Sequence, residues 1–166
     1  MPDANFDRTV VLVLAHGDEG ALGVILNRPS DVTTQTALPQ WQHIAADPGV
    51  VFKGGPVSAR TTIGLGRIDP ASLVRPEPVT GGVGIVDLST TAMSSGVDLV
   101  RIFAGYAGWS DGQLEDEIAA RGWFAVPSSP DDIFTPRPEA LWRSVLRRQP
   151  ARLAMLAAFP SEPVLN

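Results

Sequence analysis

The sequence contains no cysteine. Without a thiol there is no disulfide, no thiolate-bound zinc or iron–sulfur cluster and no cysteine nucleophile. Histidine is nearly as scarce: only His16 and His43 are present, far apart, and the carboxylates around them show neither the H-E-x-x-H nor the EF-hand spacing. No metal and no cofactor is therefore expected. Long apolar runs are missing too, since none approaches the roughly 18 to 20 residues of a membrane-crossing helix. The N-terminus carries Asp3 and Asp7 ahead of the short run VVLVLA, so neither a span nor a signal peptide is expected, and the chain is read as cytoplasmic. Positive charge is also in deficit. A formal charge of -5 and a pI near 4.9 give a net field that repels a phosphate backbone, so nucleic acid is not an expected partner. The one dense basic group, Arg143, Arg147, Arg148 and Arg152, has helical spacing and reads as a solvated helix face.

What is present is ordinary globular material. With 166 residues, 44% of them hydrophobic and 19% charged, the chain can bury one sizeable core without a staple. A single domain over 1–166 is expected, with 1–8 and 160–166 loose. Residues 9–15 and 21–26 are rich in β-branched residues around a Gly-Asp-Glu-Gly turn and predict a hairpin that Asn27-Arg28-Pro29 ends. Further strands are expected over 50–53, 61–68, 83–88, 97–104 and 123–126. The 97–104 segment is apolar except for Asp98 and Arg101, as in a central strand covered on both faces. Residues 69–80, with three prolines, predict a surface loop or kinked edge. Helices are expected over 39–46, 110–121 and 138–149, with a helical turn at 129–134 and a short helix over 151–159. Ser110 and Gln113 form a capping-box pattern for the second of these, and Gly122 its C-terminal stop. Because strands do not alternate regularly with helices, the fold class is α+β, with a mixed, mostly antiparallel sheet bent toward a partial barrel at its glycines and packed with helices.

Three stretches, FDRTVVLVLAHGDEGALGVILNRP at 6–29, GGPV at 54–57 and FAGYAGWSDGQLEDEIAARGW at 103–123, resemble the YqgE/AlgH family in content, order and spacing. The resemblance implies an α+β fold with a bulged, barrel-like sheet. It also carries the family's label of transcriptional regulator, although no helix-turn-helix pair with a basic recognition helix is visible. Family chains bear a further apolar strand ahead of the position matched by Pro2, and its lack here implies an open neighbouring strand edge.

Gly108-Trp109-Ser110-Asp111-Gly112 matches the G-x-S-x-G nucleophile elbow, but both histidines precede the serine, whereas that triad needs its histidine after it. Ser110 has a sufficient role as a helix cap. The glycines of GGPV and GYAGW allow close approach of either a ligand or another strand, and neither segment has the ending of a phosphate loop; the sole lysine, Lys53, lies on the wrong side of the first. His16 is read as a hydrogen-bonded structural residue in preference to a general base, and Arg28 as pairing either with an anionic ligand or with a carboxylate such as Glu115. Asp111, Glu115, Asp116 and Glu117 support a helix N-terminus, and Trp109, Trp123 and Trp142 are core or pocket wall.

The expected function is binding of a small ligand in a pocket lined by His16, Asn27, Arg28, Gly54, Gly55, Tyr106, Trp109 and Gln113, with enzymatic activity left open. The alternative is a regulator of transcription or of a protein partner. Nothing in the sequence sets an oligomeric state. A labelled DNA duplex titrated with the protein at low salt is expected to show no complex. A complex that weakens steeply as salt rises would restore the nucleic-acid alternative.

Overall fold

The computed structural model describes residues 3–159; of the chain ends expected to be loose, 1–8 and 160–166, residues 1–2 and 160–166 lie outside the described residues. Eight strands form one sheet: β1 (Val11–Gly17), β2 (Gly20–Ile25), β3 (Pro29–Thr33), β4 (Val50–Lys53), β5 (Val57–Ile68), β6 (Glu77–Thr80), β7 (Val83–Val86) and β8 (Val97–Trp109). Their order is β1-β2-β8-β5-β7-β6, with β4 joined to β8 and β3 to β4. All pairings are antiparallel except β4 with β8, and the sheet nearly closes into a barrel. Helices α1 (Thr34–Ala37), α2 (Gln113–Ala119), α3 (Pro130–Ile133), α4 (Leu141–Arg147) and α5 (Ala151–Ala154), with short 3-10 turns, complete the α+β architecture.

The β1–β2 hairpin forms as the β-branched runs require. Gly17 pairs with Gly20, so the expected turn glycines become the last rung and Asp18-Glu19 alone make the loop. β2 ends at Ile25, ahead of Asn27-Arg28-Pro29 as expected, but Pro29 does not begin a loop. It opens β3, an edge strand opposite Phe52, where a first residue without an N–H loses nothing. Thr33 then caps α1, its Oγ1 accepting from the Thr36 N–H at 3.1 Å. The expected helix over 39–46 is a 3-10 helix, Pro39–Ile44, which inserts a fully buried Trp41 beneath the sheet. Within the proline-rich loop, the last four residues pair with β7 as β6.

β8 runs five residues beyond its expected end. Successive side chains along it enter opposite layers: Val100 and Ile102 pack with Trp41 and Val51, and Phe103 packs with Phe52, Leu65 and Ile133. Between them Arg101 is 2% exposed. Its Nη1 donates to the carbonyls of Ile133 and Thr135, both at 2.9 Å, and its Nη2 to the carbonyl of Asp47. The guanidinium also lies 4.3 Å over the Phe52 ring. Burial pushes it down to about 10, opposed by the nearby charge of Asp47, so it remains cationic at neutral pH.

Three other expectations change. Residues 123–126 form no strand and pair with none of the eight. The expected long helix at 138–149 is a 3-10 turn, Pro138–Ala140, followed by α4. Of the basic helix face, Arg148 grips Asp132 with two bonds of 2.7 and 2.6 Å and ties α4 to the first turn of α3. Replacing Arg101 by Met retains the stem but strands its carbonyl acceptors. The expected loss is about 3 kcal/mol of unfolding free energy in urea titration. A loss below about 0.5 kcal/mol would mean that the carbonyls find other partners.

Candidate functional site

Where β8 ends, the chain turns through Ser110-Asp111-Gly112 into α2. Gly112 takes a left-handed conformation (φ 73°) just ahead of the helix. Gln113 reaches back, its Oε1 accepting from the Ser110 N–H at 3.0 Å and from the Ser110 hydroxyl at 3.2 Å. This is one half of the anticipated capping box; the serine donates to the side chain of Gln113 instead of accepting from the backbone. One turn on, Glu117 collects three donors: Gln113 Nε2 at 2.9 Å, Trp109 Nε1 at 3.0 Å and Trp123 Nε1 at 2.8 Å. Burial pushes the Glu117 carboxyl up, but these donors together outweigh it and hold the group below the usual carboxylate range. The two indoles meet edge to face at 5.8 Å, and Phe6 packs against Trp123 at 5.4 Å and Trp109 at 6.5 Å.

The end of α2 is a Schellman closure. Gly122 N–H donates to the Glu117 carbonyl at 2.8 Å and Arg121 N–H to that of Ile118 at 2.9 Å. The left-handed residue is Arg121 (φ 61°) and not Gly122, the glycine expected to stop the helix.

These groups border a cleft of about 800 Å³ between the N-terminal turn, the start of β5, the end of β8, α2 and α4. Three of the four tryptophans, Trp109, Trp123 and Trp142, line it; Trp41 lies beneath the sheet. Arg8, stacked 4.7 Å over the Trp142 ring, and Arg121 also line it.

Of the eight residues singled out from sequence, Trp109 and Gln113 line this cleft. Asn27 is buried beside it: its Oδ1 accepts from the Val10 N–H at 3.0 Å and its Nδ2 donates to the Arg8 carbonyl at 2.9 Å. Arg28 donates to the carbonyl of Asp7. Asn27 and Arg28 thus fasten the N-terminal turn that forms one wall. Gly54 and Gly55 lie against Gly105 and Tyr106, where an added Cβ would overlap the backbone of β8, and Tyr106 packs on the core. His16, half exposed at the far end of the hairpin, pairs with Glu115, the carboxylate considered for Arg28. Backbone hydrogen bonding of Glu115 and its bond to His16 hold that carboxyl below its ordinary range. The cleft residues missed were Phe6, Arg8, Glu117 and Arg121. The only sequence signal for them was the Trp-Ser-x-x-Gln-x-x-x-Glu spacing, which places Gln113 and Glu117 one turn apart on a helix face. Among the described residues no group of acidic or histidine side chains could hold a metal, and no helix is long and apolar enough to cross a membrane.

The family model described as AlgH-like matches residues 1–154. The chain belongs to the AlgH-like family. Curated AlgH-like relatives named UPF0301 protein include one from Streptomyces avermitilis, 47% identical over all of this chain and 90% of its own length. Another, from Rhodococcus erythropolis, is 42% identical over 97% of this chain and 83% of its own length. Among solved structures, a Corynebacterium diphtheriae protein superposes with a TM-score of 0.88 at 29% identity, covering 96% of this chain and 86% of its own. The AlgH protein of Pseudomonas aeruginosa superposes at 0.67 with 27% identity, covering 98% and 89%. The family resemblance and the barrel-like α+β sheet expected from the three motifs are thereby established.

Because the folded-state pKa of Glu117 is depressed, its contribution to stability is complete above the ordinary carboxylate pKa of 4.5 and is lost as pH falls through the lower folded value. Unfolding midpoints followed by tryptophan fluorescence should decline across that acid window, and the decline should be shallower in Glu117→Gln. Equal slopes in the two proteins would count against a charged Glu117 hub.

Proposed function

We infer that this AlgH-like chain is a small-molecule-binding protein whose ligand occupies the tryptophan-lined cleft. The observation that carries the reading is the convergence of three indoles and an ionised carboxylate on one hollow of about 800 Å³. Ligand sites are typically concave, aromatic-walled and supplied with a few fixed polar groups. The three sequence segments contribute in different ways. GYAGW supplies Gly108 and Trp109, and GGPV supplies Pro56 and Val57. The Asn27-Arg28-Pro29 segment acts from behind, holding residues 7–10 against the hairpin.

The arrangement suits binding more than acyl transfer. Ser110 has its hydroxyl on Gln113, and His16 is engaged with Glu115 at the other side of α2, so no base stands beside a nucleophile. His43 lines a separate, smaller hollow with Asp69 and Met93.

A metabolite library screened by thermal shift, followed by nitrogen-15 spectra of the indole N–H groups, tests the reading. A true ligand raises the melting temperature and moves the signals of Trp109, Trp123 and Trp142 while leaving Trp41 in place. Compounds that stabilise the protein without moving those three signals would place binding elsewhere, and a library without any stabilising compound would remove the proposal.

A further inference from the structure

We propose that the ligand of this cleft is an anion carrying a planar ring, with the ring against the indole wall and the acid group on Arg121. The proposal rests on the reading of the cleft as a ligand site and adds the ligand's chemical class.

Backbone strain is the first observation. Among the described residues three non-glycine residues have positive φ: Arg8 at 52°, Ser58 at 48° and Arg121 at 61°. Two of them, Arg8 and Arg121, line the cleft, and Ser58 follows Val57, which also lines it. Left-handed backbone disfavours any residue with a Cβ, and the C-terminal position held by Arg121 is one that glycine ordinarily fills. Glycine is the next residue in the chain and is not used there. What arginine adds at this position is its guanidinium, and strain retained without structural need points to use of the side chain.

The sign is read from the two strained positions that line the cleft, both arginines, and not from the net charge of the lining, which is negative. Three carboxylates line the cleft, but two are occupied: Glu117 by two indoles and an amide, and Asp3 by the Asn5 N–H at 3.0 Å and Asn5 Nδ2 at 2.9 Å. Asp7 is the third. Arg121 is exposed, and no described side chain or carbonyl accepts from its guanidinium. It is therefore an unengaged donor lining an aromatic hollow, held at its backbone by the Schellman closure. The ring preference follows from Trp142, whose indole face already carries the planar guanidinium of Arg8 at 4.7 Å, and from the partly exposed Trp123. A guanidinium beside an indole matches a carboxylate or phosphate attached to a flat ring.

Three probes of one shape and different charge decide it: 2-naphthoate, neutral 2-naphthamide and cationic 2-(aminomethyl)naphthalene. Titrations are read from the indole N–H signals, with Trp41 as internal reference, in the full chain and in Arg121→Gly. That variant relieves the backbone, so its melting temperature is expected to equal or exceed that of the parent. Naphthoate should bind at least about tenfold more tightly than the amide, and Arg121→Gly should erase the difference, corresponding to about 1.4 kcal/mol. If the three probes bind alike, if the amine is preferred, or if Arg121→Gly keeps the preference for naphthoate, the anion assignment is overturned while the cleft reading stands. If none of the probes moves the signals of Trp109, Trp123 or Trp142, the planar-ring anion is overturned, and the cleft reading is decided separately by the metabolite screen.

Discussion

The fold depends on one close crossing of backbones, where Gly54-Gly55 pass over Gly105-Tyr106. A Cβ on either of the first two would overlap main-chain atoms of β8, and Gly105 itself is held at φ 74°. The contact matters because one edge of β8 is shared by successive partners. Ala46 donates to Val100, β4 runs parallel at Phe103 and Ala104, and β2 pairs from Ala107 to Trp109. The hand-over occurs at Gly54, whose N–H donates to the Ala104 carbonyl while its own carbonyl accepts from Ile25, both at 2.8 Å. Side chains at this point would force β2 and β4 apart and leave the donors and acceptors of a buried strand unpaired.

That crossing explains how two glycine motifs far apart in sequence come to be neighbours, and why their role was only half legible. Low bulk signals a close approach but not what approaches; here it is another strand. The hairpin, β4 and the central position of β8 could be read because β-branched runs between glycine turns leave few alternatives. β3 could not, since it is an edge strand opening on proline and paired with β4 some twenty residues on, and β6 was legible only as one of two options, a loop or a kinked edge. Asn27 was legible as important and not as structural. Its amide substitutes for a further rung of the β1–β2 ladder, reaching both Val10 and Arg8, and only coordinates show which backbone groups lack a partner there.

Arg101 shows the same principle in the core. A buried charge in a mostly apolar strand is visible in the sequence as Arg101, but its partners are three carbonyls, at Asp47 and at Ile133 and Thr135 around the end of α3, that no periodicity connects. Neutral acceptors suit a buried guanidinium better than a water-filled gap would, and Phe52 covers its face. The cation fixes where the α3 region lies relative to the sheet. Arg148 and Asp132 then fix α4 relative to α3, and α4 carries Trp142, Val145 and Leu146 to the cleft.

The cleft is therefore assembled from both ends of the described chain on a scaffold that neither end forms alone. One wall, residues 3–11, is held by side chains of Asn27 and Arg28 just beyond β2; the opposite wall is held through Arg101, Asp132 and Arg148. The floor is the end of β8, continued by α2 with Glu117 pinning two indoles. Each wall is fastened to the scaffold by hydrogen bonds with backbone groups or by paired charges, and Arg8 over the Trp142 ring joins the two walls. Phe6, Trp109 and Trp123 pack against one another within this frame, so the aromatic surface of the cleft is one cluster beside the Arg8–Trp142 pair. The hydrogen bonds of Asn27, Arg28 and Arg101 thus set where the segments that line the hollow lie relative to the sheet.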